Sequence, residues 1–401
     1  MLGETDNQIG MKSMKLKSKN NSVSSRIIQS EIRNMSIECA KVNGINLSQG
    51  FSDTDLEPVI GSAAKRAIDE GVNHYTRYDG LQELREAIAD KLLHYNKISA
   101  DPNKNIVVTN GSTAGLFSVL YALFKAKDEI IVFEPYYGYH LNTIFALNLV
   151  PKYFRLSPPD WFVDVARIEK LVTPRTRAII INTPTNPSGK VYSRRELAEI
   201  GRFAKRHGLY IITDEIYEYF LYDDAVHVSP ASINELKGNV ITIGGYSKTF
   251  SITGWRVGYV VCPSEITQVI GFVHDLMYVC APAPLQVGVT EGIRGLAQDF
   301  YENLRNSYKH KRDVMCEALD GAGLFPVVPK GAYYILADIS RIKGDTSKKK
   351  VMKLLRDTGI AAVPGEAFYH DSAGNNIARF CFAKKDPIIE KAASILKGVK
   401  Y

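Results

Sequence analysis

Apolar runs of strand length recur through the middle of this chain, with helical patterns in most of the intervals between them. They fall near 106–110, 129–134, 149–155, 178–182, 209–214, 240–244 and 257–262. Strands that alternate with helices pair mostly in parallel, and a sheet built that way is covered on both faces. The expected fold is therefore α/β, with a mostly parallel seven-stranded sheet in a large domain. Beyond Ala281-Pro282-Ala283-Pro284 the pattern changes to a long helical stretch near 295–321 and short strands around 333–338 and 377–382. That change predicts a smaller α+β domain, and 401 residues suffice for two domains.

Open sheets of this kind bind ligands beyond the carboxyl ends of their strands, and three of these strands end in chemistry. The run Ala178-Ile179-Ile180-Ile181 leads into Asn182-Thr183-Pro184-Thr185-Asn186-Pro187-Ser188-Gly189-Lys190. Its prolines favour an extended presentation of the Asn182 and Asn186 amides, although alone it would be an ordinary strand-exit turn. In Leu209-Tyr210-Ile211-Ile212-Thr213-Asp214-Glu215-Ile216-Tyr217 an acid ends a buried strand, with a phenol three residues later. A buried carboxylate needs a cationic partner, and a protonated pyridine nitrogen is one; the alternative is a helix cap. Lys248 lies in Tyr246-Ser247-Lys248-Thr249-Phe250, and Arg256, eight residues on, can help to lower its pKa. This is the setting of a Schiff-base amine, whereas a lone Ser-Lys would be a surface lysine. An Asp that keeps a pyridine ring protonated and a lysine that meets an aldehyde both point to pyridoxal 5'-phosphate (PLP).

In this order, Asn-Pro-x-Gly, Asp-x-x-Tyr and Ser-Lys-x-x-x-x-x-Gly-x-Arg resemble the fold-type I PLP-dependent enzymes, specifically the class I/II aminotransferases. The resemblance runs from about Asn46 to the C-terminus. It implies that Lys248 is the Schiff-base lysine, that Asp214 pairs with the pyridine nitrogen, and that Asn186 and Tyr217 hold the phenolate oxygen, with Asn182 on the same edge. Ser112 and Thr113 open a helix after the strand Ile106-Val107-Val108-Thr109, so free backbone N–H groups there can receive the phosphate. The same two residues would cap a helix in any protein. Ser247 and Arg256 complete the phosphate cup. Tyr137 matches the ring-stacking aromatic, with Tyr136 as its neighbour in sequence. Tyr75 matches a tyrosine that reaches the phosphate of the other subunit, although in a chain with 22 tyrosines it could equally pack. Arg379 matches the clamp on the substrate α-carboxylate, and Gly50 the stretch whose backbone lines it. On composition alone Arg379 would lie on a solvated strand face.

The resemblance further implies a large PLP-binding domain over 51–290, a small domain over 291–401, an arm over 26–50 that packs with it, and a homodimer with shared active sites. The implied reaction is ping-pong transfer of an α-amino group from an L-amino acid to a 2-oxo acid, with Lys248 moving the proton. A lyase or an elimination-cyclisation enzyme acting on a β- or γ-substituted amino acid would carry the same motifs. A PLP-binding regulator usually adds a DNA-binding domain, and fewer than 50 residues precede the matched region here. Within the class the pattern is closest to the branch with aspartate, aromatic and kynurenine aminotransferases. Two stretches depart from it: Cys280-Ala281-Pro282-Ala283-Pro284 is proline-rich where Ser, Thr or Asn is frequent, and Tyr369 stands where glycine is common.

The remaining composition narrows partners and setting. Formal net charge is +7, and residues 1–26 carry four lysines and one arginine against Glu4 and Asp6, so the rest of the chain is nearly balanced and offers no nucleic-acid face. Residues 1–25 are expected to be a basic, disordered tail rather than a signal peptide. No apolar run approaches the roughly 18 residues of a membrane span. Five cysteines at 39, 262, 280, 316 and 381 show no Cys-x-x-Cys spacing, which suits a reducing cytoplasm. The eight histidines form no His-Glu-x-x-His, so no metal site is expected, and Val191 after Gly189-Lys190 excludes a P-loop.

Overall fold

The computed structural model describes residues 30–401. The tail expected over 1–25, and the start of the arm, lie outside the described residues. The first described elements are a helix, Glu31–Lys41, and a two-residue strand, β1 (Ile45–Asn46).

Seven strands follow that make one sheet: β2 (Ile106–Thr109), β3 (Glu129–Glu134), β4 (Val150–Arg155), β5 (Thr176–Asn182), β6 (Tyr210–Asp214), β7 (Val240–Gly245) and β8 (Gly258–Val261). Their order is β2-β8-β7-β6-β5-β3-β4. Pairing is parallel from β4 through β3, β5 and β6 to β7, and antiparallel where β8 meets β7 and β2. Successive side chains go to opposite faces. Ile179 and Ile181 of β5 join Ile131, Phe203 and Ile211 in one apolar cluster, while Ala178 and Ile180 join Val132, Ile212 and Ile243 in another. Helices cover both clusters, which is why the strands are apolar throughout rather than alternating.

The strand order creates the ligand crevice. From β3 the chain moves outward to β4, then returns past β3 to β5 and continues the other way through β6 and β7. The carboxyl ends of β3 and β5 therefore flank a topological switch point, where helices leave on opposite sides and a gap opens. Because β8 runs against its neighbours, its amino end lies at the same edge as the carboxyl ends of the others. The residues just before β8 are thereby brought to the crevice.

A second sheet, in the order β12-β13-β10-β9, is antiparallel: β9 (Phe325–Val327), β10 (Tyr334–Asp338), β12 (Val363–Pro364) and β13 (Ile377–Cys381). Strand β1 pairs in parallel with β11 (Ile360–Ala361), Ile45 opposite Ile360. Met35, Cys39 and Leu47 are buried in the same cluster as Ile335, Leu354 and Phe380. That cluster also takes in Tyr217 and Phe220, so one core runs from the N-terminal helix to the segment after β6.

Candidate active site

A cavity of about 490 Å³ opens at the switch point. Its walls carry Gly50, Ser112, Thr113, Tyr137, Asn182, Asn186, Asp214, Tyr217, Ser247, Lys248, Arg256 and Arg379. Of the residues singled out from the sequence, Tyr75 is the one that does not line it; that side chain is 82% exposed on the loop before the third helix. Tyr137 lines the cavity, whereas Tyr136 is buried beside Tyr153, with ring centroids 5.9 Å apart.

The strand ends deliver the groups one by one. Asn182, the last residue of β5, gives its amide N–H to the Asp214 carbonyl at 2.9 Å, and its side-chain oxygen accepts the Asn186 backbone N–H at 2.7 Å. Both ends of this amide are thus used to lock the turn that presents Asn186. Asp214, the last residue of β6, accepts from the Ile216 N–H at 3.3 Å, and its other oxygen lies 2.8 Å from His140 Nε2. No helix follows that Asp214 could cap. His140 itself is buried in the helix Gly138–Ala146, one turn after Tyr137. A buried carboxylate hydrogen-bonded to an imidazole is held in a fixed orientation.

Lys248 lies three residues beyond β7. Its ammonium donates to the Gly50 carbonyl at 2.9 Å and stands 5.9 Å from the centre of the Tyr217 ring. Burial is the main cause that lowers its pKa to about 8. The nearby Asp214 opposes the shift, and Arg256 and Arg379 reinforce it. The Tyr217 and Tyr334 hydroxyls are 2.9 Å apart, and burial raises the Tyr217 pKa far above its ordinary value. Tyr217 therefore stays a hydrogen-bond donor at any physiological pH.

Two ends of the cavity suit anions. At the first, the helix Gly111–Leu123 begins without a side-chain cap, so the N–H groups of its opening turn face the cavity unpaired by Asn110. Gly111 has φ +77°, and a Cβ there would come within 2.5 Å of the Arg256 guanidinium. A Cβ on Gly258 would lie 2.7 Å from the Ser112 nitrogen. Only glycine allows this approach of backbone and arginine, which makes a cradle with Ser247 for a tetrahedral anion.

At the second end Arg379, in the middle of β13, is fully buried. It donates to Asn186 Oδ1 at 2.9 Å and to the Ser48 carbonyl at 2.6 Å, and its guanidinium lies 4.3 Å from the Tyr334 ring centre. Its Nε has no partner, and no carboxylate faces it among the described residues. A buried cation without a counter-ion is costly, so this arrangement is one that an incoming carboxylate completes. Gly50 belongs to the same wall; any side chain there would collide with the Tyr334 hydroxyl.

His140 and Tyr334 also line the cavity, and neither stands out in the sequence as a site residue. His140 has one visible sign, a lone histidine in a mostly apolar helix three residues after Tyr137. Tyr334 has none among so many tyrosines.

The chain as a whole is similar to known proteins. The family model "Aminotransferase class I and II" matches residues 42–396. The aspartate aminotransferase of Pyrococcus abyssi is 36% identical over 92% of this chain and 95% of its own length. Aromatic-amino-acid aminotransferase 2 of Thermococcus litoralis is 34% identical over 92% and 95%. Among solved structures, N-succinyldiaminopimelate aminotransferase from Mycobacterium tuberculosis superposes with a TM-score of 0.91 at 30% identity, covering 94% of this chain and 99% of that one. A family match over most of the chain, relatives above 30% identity along nearly their whole length, and the same fold-type I architecture agree: the chain belongs to the class I and II aminotransferases and is an aminotransferase.

Proposed function

We propose that this aminotransferase holds pyridoxal 5'-phosphate in the cavity and moves the α-amino group of an L-amino acid to a 2-oxo acid in two half-reactions. The observation that carries this reading is the fully buried, unpaired Arg379 facing the same cavity as the pKa-lowered Lys248. One is suited to a carboxylate and the other to proton transfer at the neighbouring carbon. The uncapped helix at Gly111, with Ser112, Thr113, Ser247 and Arg256, fits the cofactor phosphate. Asp214, held by His140, fits the pyridine nitrogen; Tyr217 and Asn186 fit the phenolate oxygen; and Tyr137 fits the ring face.

When bound, PLP supplies the aldehyde that captures an amine and the electron-withdrawing ring that makes the adjacent C–H acidic. The protein supplies everything else. Arg379 fixes the substrate by its α-carboxylate, through a planar fork that sets orientation as well as affinity. With a pKa of about 8, the Lys248 amine is neutral in a useful fraction near neutral pH, so it can take the α-proton and return it elsewhere. Tyr334 and Asn186 brace Arg379, and the Gly50 carbonyl gives the free Lys248 amine a resting place.

The large apolar side chains left exposed support a homodimer. Phe272, Leu276 and Tyr278 are 51%, 81% and 45% exposed on one helix, Ser264–Tyr278, and Tyr75 is exposed as well. Such a patch is costly in water and suits a second copy of the chain, to whose phosphate end Tyr75 would reach. We place the protein in the cytoplasm, where its five free cysteines stay reduced.

The test is the half-reaction. An amino-acid donor added without an oxo-acid acceptor should change the cofactor absorbance once and yield one 2-oxo acid per site. Release of ammonia or a cyclised product over many turnovers would replace transfer by elimination.

A further inference from the structure

The phosphate end proposed above hangs on one turn. The chain leaves β2 at Thr109 and enters the helix Gly111–Leu123 through Asn110, whose side chain does not cap that helix. Its Oδ1 is buried and has no partner among the described residues. Asn110 is held through its backbone instead, and from both sides. Its carbonyl accepts from Arg256 Nη2 at 3.4 Å, and its N–H donates to His274 Nε2 at 3.0 Å.

His274 lies 164 positions further on, fully buried in the helix Ser264–Tyr278. The other side of that helix carries the exposed Phe272 and Leu276. A backbone N–H can only donate, so Nε2 must be the unprotonated nitrogen of a neutral imidazole, with the ring proton on Nδ1. Burial favours the same state: it is the main cause that lowers the His274 pKa to about 4, against a smaller opposing effect of Asp275.

The bond comes with a cost. His274 Nδ1 is itself buried without a partner among the described residues, which an apolar side chain of similar size would avoid. That replacement would orphan the Asn110 N–H instead and loosen the turn. Thr109 steadies the turn from within, donating from Oγ1 to the Gly111 carbonyl at 3.1 Å, and Arg256 belongs to the proposed cradle. His274 is the support that reaches the turn from outside both.

Resting on the roles proposed above, we propose that His274 is a positioning residue for the cofactor phosphate. By taking the Asn110 N–H it fixes the turn on which two sets of donors converge, the opening N–H groups of the helix at Ser112 and Thr113 and the Arg256 guanidinium. It does not line the cavity and acts through Asn110, whose N–H it withholds from the anion. One such bond to a neutral acceptor is worth about tenfold in affinity.

Equilibrium dialysis of the full, cofactor-free chain with PLP and with pyridoxal, the same ring without the phosphate, separates this role from general support of the fold. Wild type should hold PLP the more tightly. His274→Leu should lower PLP affinity about tenfold and leave pyridoxal affinity unchanged, and the phosphorus NMR resonance of bound PLP should move toward that of the free cofactor. His274→Gln, whose side-chain oxygen can accept the same N–H, should restore much of both. In the wild type itself, nitrogen NMR shifts of the ring should place the proton on Nδ1 at pH 7, a reading that needs no variant to fold. A proton on Nε2, an equal loss for PLP and pyridoxal in His274→Leu, or a preference for PLP that this substitution leaves intact would overturn the proposal, the last while keeping PLP as the cofactor. Failure of the wild type to bind PLP would instead overturn the cofactor reading, and the role of His274 with it.

Discussion

At one end of the cavity Arg256 stands exposed, donating to the carbonyls of Thr253 at 3.0 Å and Asn110 at 3.4 Å; at the other, Arg379 is fully enclosed. Neither has a carboxylate partner among the described residues. Water screens Arg256, so a different cation in its place would still attract an anion. Arg379 has no water to fall back on. Its charge is supported by one amide oxygen, one carbonyl and two rings, and the anion it lacks must fit the fork that remains. On the proposed roles, the exposed end is a holding point that tolerates change, and the buried end is a gauge of orientation that does not. Between them stands Lys248, to which proton transfer is proposed to fall.

The largest effect should come from that middle position. Lys248→Ala should lower turnover by at least about a thousandfold, because in the proposed reaction one amine takes and returns the proton. The cofactor should stay bound non-covalently through the phosphate end and the groups proposed to hold its ring, Asp214, Tyr217 and Tyr137, which absorbance after gel filtration will show. Loss of the cofactor together with activity would mean that these contacts do not hold it on their own.

Arg379→Lys comes next. A lysine keeps the charge but not the planar fork, so KM for amino acids should rise on the order of 10–100-fold, with cofactor absorbance unchanged. Arg256→Lys should do less. At this exposed end we expect cofactor affinity to fall by less than about tenfold, measured by equilibrium dialysis, with KM for the amino acid intact. If the two substitutions prove equally costly, burial is not what distinguishes the ends.

The two ends were also unequally legible in the sequence. Lys248, Asp214, Asn182 and Asn186 stand out because each follows an apolar strand, and strand ends are where such sheets work. Ser112 and Thr113 are visible for the same reason. Arg379 was assignable only by resemblance. Alternation with apolar residues on a strand is what a solvated face also looks like, and its burial depends on pairing of β13 with both β10 and β12 and on Ser48, far away in the chain. The His140–Asp214 contact spans 74 positions and has no local pattern to announce it. The reversed direction of β8 is hidden in the composition of the run at 257–262, which matches its parallel neighbours. The segment between β7 and β8 did hold a sign. It is filled by the Lys248 motif and lacks the crossover helix that a parallel return needs.

The smallest effect separates what the arginines do to each other's neighbour from what they do to ligands. Arg256 and Arg379 both push the Lys248 pKa down, in the same direction as burial, which is the larger cause. In the unfolded chain this lysine titrates near 10.5 and in the folded, cofactor-free protein near 8. Below pH 8 both states carry the proton, and the folded state bears the full cost of enclosing it among like charges. Between pH 8 and 10.5 the unfolded chain binds more protons than the folded one, so this lysine's contribution to stability grows as pH rises and the cost fades. Lys248→Met, which places no charge there, should therefore make the cofactor-free protein more stable than wild type at pH 7. A shift of this size bounds the gain at about 3 kcal/mol, and contact with water in the open cavity should reduce it to about 1 kcal/mol. Thermal unfolding of both proteins at pH 7 and pH 10 will read the difference as a gap in Tm that narrows at the higher pH. A gap that stays constant, or widens, would mean that the two arginines and burial leave Lys248 at its ordinary pKa and that its readiness for proton transfer comes only with the cofactor.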